Sequence, residues 1–428
     1  MEGKNGRAEP GRSCRRIGKN GRAEPGRIYR PKGKNGRAEP GRSCVRPPRV
    51  QAGLTAPAPM KLLIIARPFV FHGGVEQATA GLVAALVEHG YEVHLLSPRG
   101  QTPMRGVTLH ALPLPPLPSA ARVLALALSA RIAVVRGTWD VVQSHERTLR
   151  QDVYRAGEGC HRAYLASEGR GRTRGLYHRI VLGLERRVFA RTPQIVAIAQ
   201  VGRREIETLY GVSPRRLAVV YNGVDLARFH PQNRARYRAG ARVEAGLPSG
   251  AFTALFVGSG FARKGLATAI EAFGAFHDRE SRLVVVGKGD LRPYQTIAAR
   301  SGVGERVVWL GARSDLERWY AAADIVVLPS RYEPFGNVHL EALASGLPVV
   351  ASSRAGGAEV IADGVNGAVV DPLDSRGVTT ALERFRGRRE GEVVAAARGS
   401  AEPYTYTAQV AGFARIYDRT ALARCEIS

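Results

Sequence analysis

Apolar stretches of strand length alternate with helical patterns along this chain, and the alternation runs through the sequence twice. In the first pass, Lys61–Ala66 is followed by Gly73 and Gly74, by apolar residues at helical spacing over Val75–His89, and by another apolar stretch. This order is typical of a βαβ unit, whose two strands lie parallel in one sheet. The pattern restarts at Phe252–Gly258. The sequence therefore predicts an α/β chain of two doubly wound sheets, with a ligand cleft between them at the carboxyl ends of the strands.

Residues 1–59 do not share this pattern. The decapeptide GKNGRAEPGR occurs three times in them, unchanged, starting at Gly3, Gly18 and Gly33. Folding these copies would cost conformational entropy with almost no apolar burial in return, so we expect disorder. We favour an origin in a translated repetitive DNA element or a misplaced start codon. The alternatives are a basic tail for nucleic acid or anionic lipid, and a transit peptide, which the missing amphipathic pattern disfavours.

The charge of the chain suggests a nucleic-acid-binding protein as a rival class. Its 63 Lys and Arg residues exceed its 37 Asp and Glu residues, which gives a formal net charge of +26. However, 15 of the basic residues lie in residues 1–59 and the others are scattered, so we expect no nucleic-acid partner.

The sequence has no run of about 18 apolar residues, which argues against a membrane-spanning helix. Four cysteines without a CxxC spacing argue against a zinc site or a disulfide framework and favour a reducing compartment.

The segment RYEPFGNVHLE, residues 331–341, carries the most specific local pattern of the chain. It follows an apolar strand, and its proline and glycine end that strand just before a helix begins. Free N–H groups at a helix start can bind phosphate or sugar oxygens. Gly336, Asn337 and Val338 are therefore predicted to face a ligand in the cleft.

Two glutamates of this segment lie eight residues apart. Glu333 is predicted in the loop over the cleft, and Glu341 in the second turn of the helix, directed at the same ligand. A carboxylate accepts hydrogen bonds from two neighbouring hydroxyl groups, which suits a ribose or a hexose.

Two cations stand where the first strand of the second half ends. Arg263 and Lys264 come shortly after Gly258 and just before a helical pattern. Positive charges at such a point can neutralise a diphosphate leaving group, which a guanidinium can bind through two parallel hydrogen bonds. No Asp-x-Asp metal motif stands out, so we expect no metal in the site.

These motifs resemble those of the family-4 retaining glycosyltransferases of the GT-B fold, over about residues 60–425. The Glu-x7-Glu element is the most specific match, and it is reinforced by Phe256–Gly258, Arg263–Gly265, Tyr221–Asp225 with Phe229, and Ala355–Gly357. One departure is Ser259, at a position where many members have an arginine.

The resemblance implies two Rossmann-like domains facing a central cleft. Residues 60–222 would be the N-terminal, acceptor-binding domain, and residues 223–402 the C-terminal, nucleotide-sugar-binding domain. Residues 403–428 would form a helix that crosses back to the first domain.

The resemblance also implies roles for single residues. Glu333 should hold hydroxyls of the transferred sugar and Glu341 those of the ribose, while His145, at a strand end, should lie beside the transferred sugar. Glu158, in a segment similar to the lipopolysaccharide core glucosyltransferase I group, should act as a base or accept a hydrogen bond from the acceptor hydroxyl. The predicted catalytic residues are His145, Glu158 and Glu333, and the predicted donor-binding residues are Gly73, Gly74, Gly258, Arg263, Lys264, Arg313, Gly336, Asn337, Val338 and Glu341.

For the whole chain, the resemblance implies retaining transfer of a hexose, with glucose favoured, from a nucleotide-sugar such as a UDP-hexose. The implied acceptor is a lipid-linked saccharide of the bacterial lipopolysaccharide core, and no cofactor or metal is expected. The enzyme would lie on the inner face of the cytoplasmic membrane, where the basic stretch Arg170–Arg191 and the apolar stretch Ala120–Val135 would contact an anionic surface. The alternatives are a mannosyl- or other hexosyltransferase for a lipid or exopolysaccharide acceptor, and an inactive saccharide-binding relative, against which the complete site motifs weigh.

Overall fold

The computed structural model of this chain describes residues 59–69, 74–169, 175–388 and 391–425. The predicted repeat segment lies outside the described residues except for Pro59, and Gly73 lies outside them too. The predicted basic stretch Arg170–Arg191 is described from residue 175 onward.

The first half of the described chain is built around seven parallel strands in the order β3-β2-β1-β4-β5-β6-β7. The strands are β1 Lys61–Ile65, β2 Glu92–Pro98, β3 Val107–Leu112, β4 Val141–Ser144, β5 Val153–Ala156, β6 Gln194–Ala197 and β7 Leu217–Val219. The helices between them are α1 Gly74–Glu88, α2 Ser119–Arg136, α3 His161–Ser167, α4 Leu176–Arg191 and α5 Gln200–Tyr210. The central strands are buried along almost their whole length, as expected for a parallel sheet covered by helices.

The second half repeats the plan with six parallel strands in the order β10-β9-β8-β11-β12-β13. The strands are β8 Thr253–Val257, β9 Arg282–Val286, β10 Val307–Gly311, β11 Ile325–Leu328, β12 Val349–Ser352 and β13 Gly367–Val370. The helices are α6 Asn233–Glu244, α7 Phe261–Lys264, α8 Leu266–Ala275, α9 Arg292–Arg300, α10 Leu316–Ala322, α11 Asn337–Ala344, α12 Ser375–Phe385, α13 Glu392–Ala401 and α14 Tyr406–Cys425. Two doubly wound parallel sheets were predicted, and the structure confirms them.

The strand order reverses once in each sheet. The reversal lies between β1 and β4 in the first sheet and between β8 and β11 in the second. In doubly wound sheets, ligands bind outside the carboxyl ends of the strands at such a reversal. The segments that leave these four strands are therefore the ones expected to form a site.

The last helix, α14, packs on the first half although it follows the second half in the sequence. Its buried residues Val410, Phe413 and Ile416 share one apolar cluster with β1 and α1. Tyr417 in the same helix donates a hydrogen bond of 2.7 Å to Gln143 Oε1 in β4. The apolar core of the first half therefore depends on the C-terminal residues of the chain.

Several elements were not predicted from the sequence. They include β5, α3, α5, α6, α12 and α13, and the four-residue helix α7, which carries Arg263 and Lys264. Short length explains this for β5, α3 and α7, which have four, seven and four residues, because so short a stretch shows no clear period. The longer helices α5, α6, α12 and α13 were missed although they have 10 to 12 residues each. No described helix combines the length and the apolar composition that crossing a membrane requires.

Candidate active site

A cavity of about 410 Å³ lies where the two strand-order reversals face each other. It receives Gly74, Arg155 and Asn222 from the first half. The second half contributes most of the predicted donor-binding set: Gly258, Arg263, Lys264, Arg313, Gly336, Asn337, Val338 and Glu341, together with Glu333. The structure thus brings together the predicted residues whose positions it describes, except His145 and Glu158.

The start of α11 forms one wall of the cavity. Gly336 precedes this helix with φ +85°, a conformation that residues with a side chain rarely adopt. A Cβ atom at Gly336 would lie 2.6 Å from His339 Nδ1 and 2.9 Å from Glu333 Cγ. Glycine is therefore favoured here, and Gly336, Asn337 and Val338 all line the cavity at the start of α11.

Glu333 forms a buried ion pair with both predicted cations. Its Oε2 lies 2.7 Å from Lys264 Nζ and 2.9 Å from Arg263 Nη1, which also donates to the Tyr332 carbonyl. Burial would raise the pKa of Glu333, but Lys264 and then Arg263 outweigh it and lower the pKa to about 2. One carboxylate of the protein thus offsets part of the positive charge of these two cations.

Glu341 lies deeper in the cavity wall, where α10 supports it. Its Oε2 accepts a hydrogen bond of 2.8 Å from the hydroxyl of Tyr320, which is itself fully buried. Burial raises the pKa of Glu341, and the Tyr320 hydrogen bond opposes this only in part. Among the described residues, none donates to the second oxygen, Oε1, so this oxygen can accept a hydrogen bond from a ligand hydroxyl.

His145 follows β4 directly and is buried in a small pocket that adjoins the main cavity. Its Nε2 lies 2.8 Å from Gln143 Nε2, an amide nitrogen that can only donate, so Nε2 accepts and the ring proton is on Nδ1. Nδ1 lies 3.2 Å from the Thr79 hydroxyl. Burial, followed by the charge of Arg155, holds the pKa of His145 well below its ordinary value. His145 is therefore a neutral, oriented side chain.

Glu158 lies beyond β5 in a cluster of arginines. Arg67 and Arg147 each donate to one of its carboxylate oxygens. Burial would raise the pKa of Glu158, but Arg67 and then Arg147 lower it on balance. This carboxylate is ionised and each of its oxygens accepts a hydrogen bond from an arginine, an environment that weakens a base. Its predicted role as a base or hydrogen-bond acceptor stays a prediction.

A chain of hydrogen bonds crosses the cavity from one half to the other. Arg155 Nη2 donates to Asn222 Oδ1 at 2.7 Å, and Asn222 Nδ2 donates to Asn337 Oδ1 at 2.6 Å. Asn337 Nδ2 donates in turn to the Gly74 carbonyl at 3.0 Å. Arg155 was not among the residues predicted for the site, although a charged residue inside the apolar strand VYRA was a signal for it.

Two sequence-family models match the chain, one in each half. The model described as Glycosyltransferase Family 4 matches residues 72–228, and the model described as Glycosyl transferases group 1 matches residues 251–386. Together they span most of the described residues, and the two-sheet fold agrees with both. The chain belongs to the GT-B glycosyltransferases.

Curated relatives support the same family. An uncharacterized glycosyltransferase of Methanocaldococcus jannaschii is 28% identical over 330 residues, which cover 73% of this chain and 85% of that protein. A D-inositol 3-phosphate glycosyltransferase of Streptosporangium roseum is 35% identical over 253 residues. That match covers 55% of this chain and 57% of the relative, so it spans little more than half of the relative's length.

Solved structures share the fold of this glycosyltransferase. WaaG, a glycosyltransferase involved in lipopolysaccharide biosynthesis, superposes with a TM-score of 0.72 at 22% identity, covering 84% of this chain and 99% of WaaG. Anabaena HepE in complex with UDP-glucose superposes with a TM-score of 0.67 at 19% identity, covering 84% of this chain and 100% of HepE. At these identities the likeness concerns the fold.

The glycosyltransferase has a second cavity, of about 780 Å³, that shares Arg263 and Glu333 with the first. Four aromatic side chains from α3 and the start of α4 line it: His161, Tyr164, Tyr177 and His178. The rings of His161 and His178 are stacked, with centroids 5.2 Å apart. A third cavity, of about 990 Å³ between α6, α12 and α13, shares no residue with these two.

Two further predicted donor-binding residues of the glycosyltransferase are held by the second half. The Arg313 guanidinium donates to Glu244 Oε1 at 2.8 Å and stacks over the Trp319 ring. Gly258 has φ +148°, and a Cβ atom there would lie 2.9 Å from the Lys264 side chain. Among the described residues, no group of three or more His, Cys, Asp or Glu side chains is placed to hold a metal ion. The expectation of a metal-free reaction stays a prediction.

Proposed function

We propose that this glycosyltransferase moves a hexose, with glucose favoured, from a UDP-hexose to a lipid-linked saccharide of the lipopolysaccharide core, with retention. The observation that carries the proposal is the convergence on one cavity of Glu341, the start of α11 and the Glu333 ion pair with Arg263 and Lys264. Hydroxyl-binding carboxylates and phosphate-binding cations in one cavity suit a sugar joined to a diphosphate.

The reaction we propose is a direct exchange of bonds at the anomeric carbon. The bond from this carbon to the leaving phosphate oxygen breaks, and a bond to the acceptor oxygen forms on the same face. The proton of the acceptor hydroxyl passes to the leaving phosphate. Arg263, Lys264 and the N–H groups at the start of α11 would stabilise the charge that develops on the diphosphate. The neutral His145 would orient the sugar without exchanging a proton.

The second cavity is our candidate for the acceptor saccharide. It opens beside Arg263 and Glu333, so a sugar bound there would lie next to the leaving group. Aromatic faces such as those of Tyr164 and Tyr177 pack well against the apolar faces of sugar rings. Both residues lie in the first half of the chain, to which we assign acceptor binding.

An exposed apolar stripe on α2 supports a membrane-bound acceptor. Leu124, Leu128, Ile132 and Val135 lie on one side of this helix with exposed fractions of 41%, 46%, 52% and 56%. Arg122, Arg131 and Arg136 of the same helix are exposed too. An apolar stripe flanked by arginines suits the surface of an anionic bilayer.

The names of the relatives agree with part of this proposal. HepE has been solved with UDP-glucose, and WaaG is involved in lipopolysaccharide biosynthesis. The inositol 3-phosphate glycosyltransferases, at 35% identity in the case cited, favour a second candidate, in which the acceptor is a soluble phosphorylated polyol.

The test is a transfer assay with the full chain, radiolabelled UDP-glucose, and either lipopolysaccharide core lacking its outer hexoses or inositol 3-phosphate. The proposal predicts label in the lipid fraction and an α-linkage by NMR, the configuration of the donor. Label in inositol phosphate would establish the second candidate. Transfer with inversion, or no transfer by a folded chain that binds the donor, would contradict the proposal.

A further inference from the structure

Arg155 is a charged residue in a strand whose other members are apolar. It lies near the carboxyl end of β5, between Tyr154 and Ala156, and only 1% of its surface is exposed. It lines both the 410 Å³ cavity and the small pocket of His145. Its position therefore brings a positive charge into the active site from the first half, opposite Arg263 and Lys264.

The Arg155 guanidinium has donors to spare. Nη2 donates to Asn222 Oδ1, but Nε and Nη1 have no hydrogen-bond partner among the described residues. No described carboxylate forms a salt bridge with it either. Burial lowers the pKa of Arg155 to about 10, so the group is still charged at neutral pH. A buried charge without a counter-ion is strongly unfavourable, and it is uncommon unless a ligand supplies the opposite charge.

The other arginines of the cavity differ from Arg155 in this respect. Arg263 is paired with Glu333, and Arg313 with Glu244. The protein thus supplies a carboxylate to these two cations and leaves Arg155 without one among the described residues.

The backbone leaves room for this side chain. A Cβ atom at Gly157 would lie 2.5 Å from Arg155 Nη1, so the guanidinium occupies the space that a side chain at this position would need. On the other side, the hydrogen bond to Asn222 fixes the group in line with Asn337 at the start of α11. The unpaired nitrogens are held in place before any ligand binds.

We propose that Arg155 binds an oxyanion of the nucleotide-sugar. The oxyanion is either a phosphate oxygen of the diphosphate or a carboxylate on the transferred sugar. This inference rests on the proposed function, because it assumes that the cavity holds a nucleotide-sugar, and it adds a specificity-determining residue from the first half of the chain.

The test compares the full chain with Arg155→Met and Arg155→Lys by thermal unfolding and by calorimetric titration. The probes are UDP, UDP-glucose, UDP-glucuronic acid and inorganic pyrophosphate, which needs no base recognition. Arg155→Met should be no less stable than the wild type without ligand, since it removes a buried unpaired charge, and should bind about tenfold to hundredfold more weakly. Arg155→Lys keeps the charge and should lose less affinity.

The probes distinguish the two sources of the oxyanion. If the diphosphate is bound, Arg155→Met weakens UDP, both UDP-sugars and pyrophosphate alike. If a sugar carboxylate is bound, only UDP-glucuronic acid is weakened. A matched control is Arg306→Met, which removes a buried arginine that donates to the carbonyls of Phe273 and Asp278. It should lower the melting temperature and leave every affinity unchanged.

Two results would overturn the inference, and they can be told apart. If Arg155→Met binds every probe as tightly as the wild type, Arg155 does not bind the oxyanion. Its role would then be structural, through the hydrogen bond to Asn222, and the variant would be expected to lose stability. A wild-type chain that binds none of the four probes would contradict the proposed function and the inference together.

Discussion

The ammonium group of Lys264 lies 2.7 Å from the carboxylate of Glu333, and both side chains are buried in the wall of the active-site cavity. Arg263 reaches the same carboxylate oxygen from α7. A single carboxylate therefore offsets part of the positive charge of the two cations that we assign to the leaving diphosphate. The ion pair lowers the electrostatic cost of keeping these charges buried and oriented in the absence of substrate.

Glu333→Gln should destabilise the protein at neutral pH, because it leaves Lys264 buried without its counter-ion. The pKa of Glu333 is lowered from 4.5 to about 2, so its ionised form stabilises the folded state. That contribution, about 3 kcal/mol, is complete above pH 4.5 and is lost as the pH falls toward 2. Urea unfolding should be measured between pH 7 and pH 2.5. The free energy of unfolding of the variant should be well below that of the wild type at pH 7, and the difference should become smaller as the pH falls.

The matched control for this prediction is Glu305→Gln. Glu305 is exposed and lies before β10, at the edge of the second sheet opposite the site. The substitution Glu305→Gln should leave the free energy of unfolding unchanged at every pH. A constant difference between Glu333→Gln and the wild type across the pH range would contradict the assignment of the Glu333 ion pair.

Glu341→Gln should weaken donor binding without lowering the stability of the folded protein. Burial raises the pKa of Glu341, so the ionised carboxylate is unfavourable in the folded state without ligand. The amide removes this charge, and the variant should melt at the same or a higher temperature than the wild type at pH 7. Donor affinity should fall about tenfold to hundredfold, because a charge-assisted hydrogen bond to the ligand is weakened. A variant that melts lower and binds the donor normally would assign Glu341 to the structure alone.

His145→Gln should leave the shape of the pH–rate profile unchanged. Burial keeps the pKa of His145 well below its ordinary value of 6.5, so the ring does not titrate in the range around that pH in the folded protein. The rate itself should fall, since we propose that the ring orients the sugar. Measuring kcat/KM over this range tests the point: an acidic limb near pH 6.5 that is present in the wild type and absent in the variant would show that His145 titrates.

Gly336→Ala should impair the site more than its backbone strain alone explains. The substitution is strained at φ +85° and also places a methyl group against His339 and Glu333. Gly302→Ala is the matched control, because Gly302 has φ +68° but open space around it. Both variants should lose about 1 kcal/mol of stability from strain. Gly336→Ala should additionally lose most activity, and equal activity in the two variants would contradict the packing described here.

Ile132→Glu in α2 should weaken binding to vesicles of phosphatidylglycerol, since it places a negative charge within the exposed apolar stripe. Val243→Glu is the control, because Val243 is 82% exposed on α6 of the other half. Co-sedimentation should show reduced binding for Ile132→Glu alone. Equal binding of both variants would place the membrane contact elsewhere.

The sequence was informative where the site is local in the chain. Gly336, Asn337 and Glu341 lie within one strand-to-helix segment, so their spacing alone indicated that they face one ligand. The two-sheet fold was predictable for the same reason, because each βαβ unit is a continuous stretch with its own period.

The contacts that tune the site were not predictable, because they join distant parts of the chain. Arg67 and Arg147 reach Glu158 from separate loops, and Tyr320 supports Glu341 from the preceding helix. Arg155 was missed because β5 is too short to show a period and its neighbours are apolar. Such pairings depend on how the strands are ordered in the sheet, which no local pattern reports.

The most direct test of the account is a calorimetric titration of the full chain with UDP-glucose, GDP-mannose, ADP-glucose and UDP-N-acetylglucosamine. It is repeated with Glu341→Gln and with Glu305→Gln. The wild type and Glu305→Gln should bind one of these donors, with UDP-glucose favoured, and Glu341→Gln should bind it at least about tenfold more weakly. Equal affinity in all three proteins, or no binding of any donor by a folded wild-type chain, would contradict the nucleotide-sugar site described here.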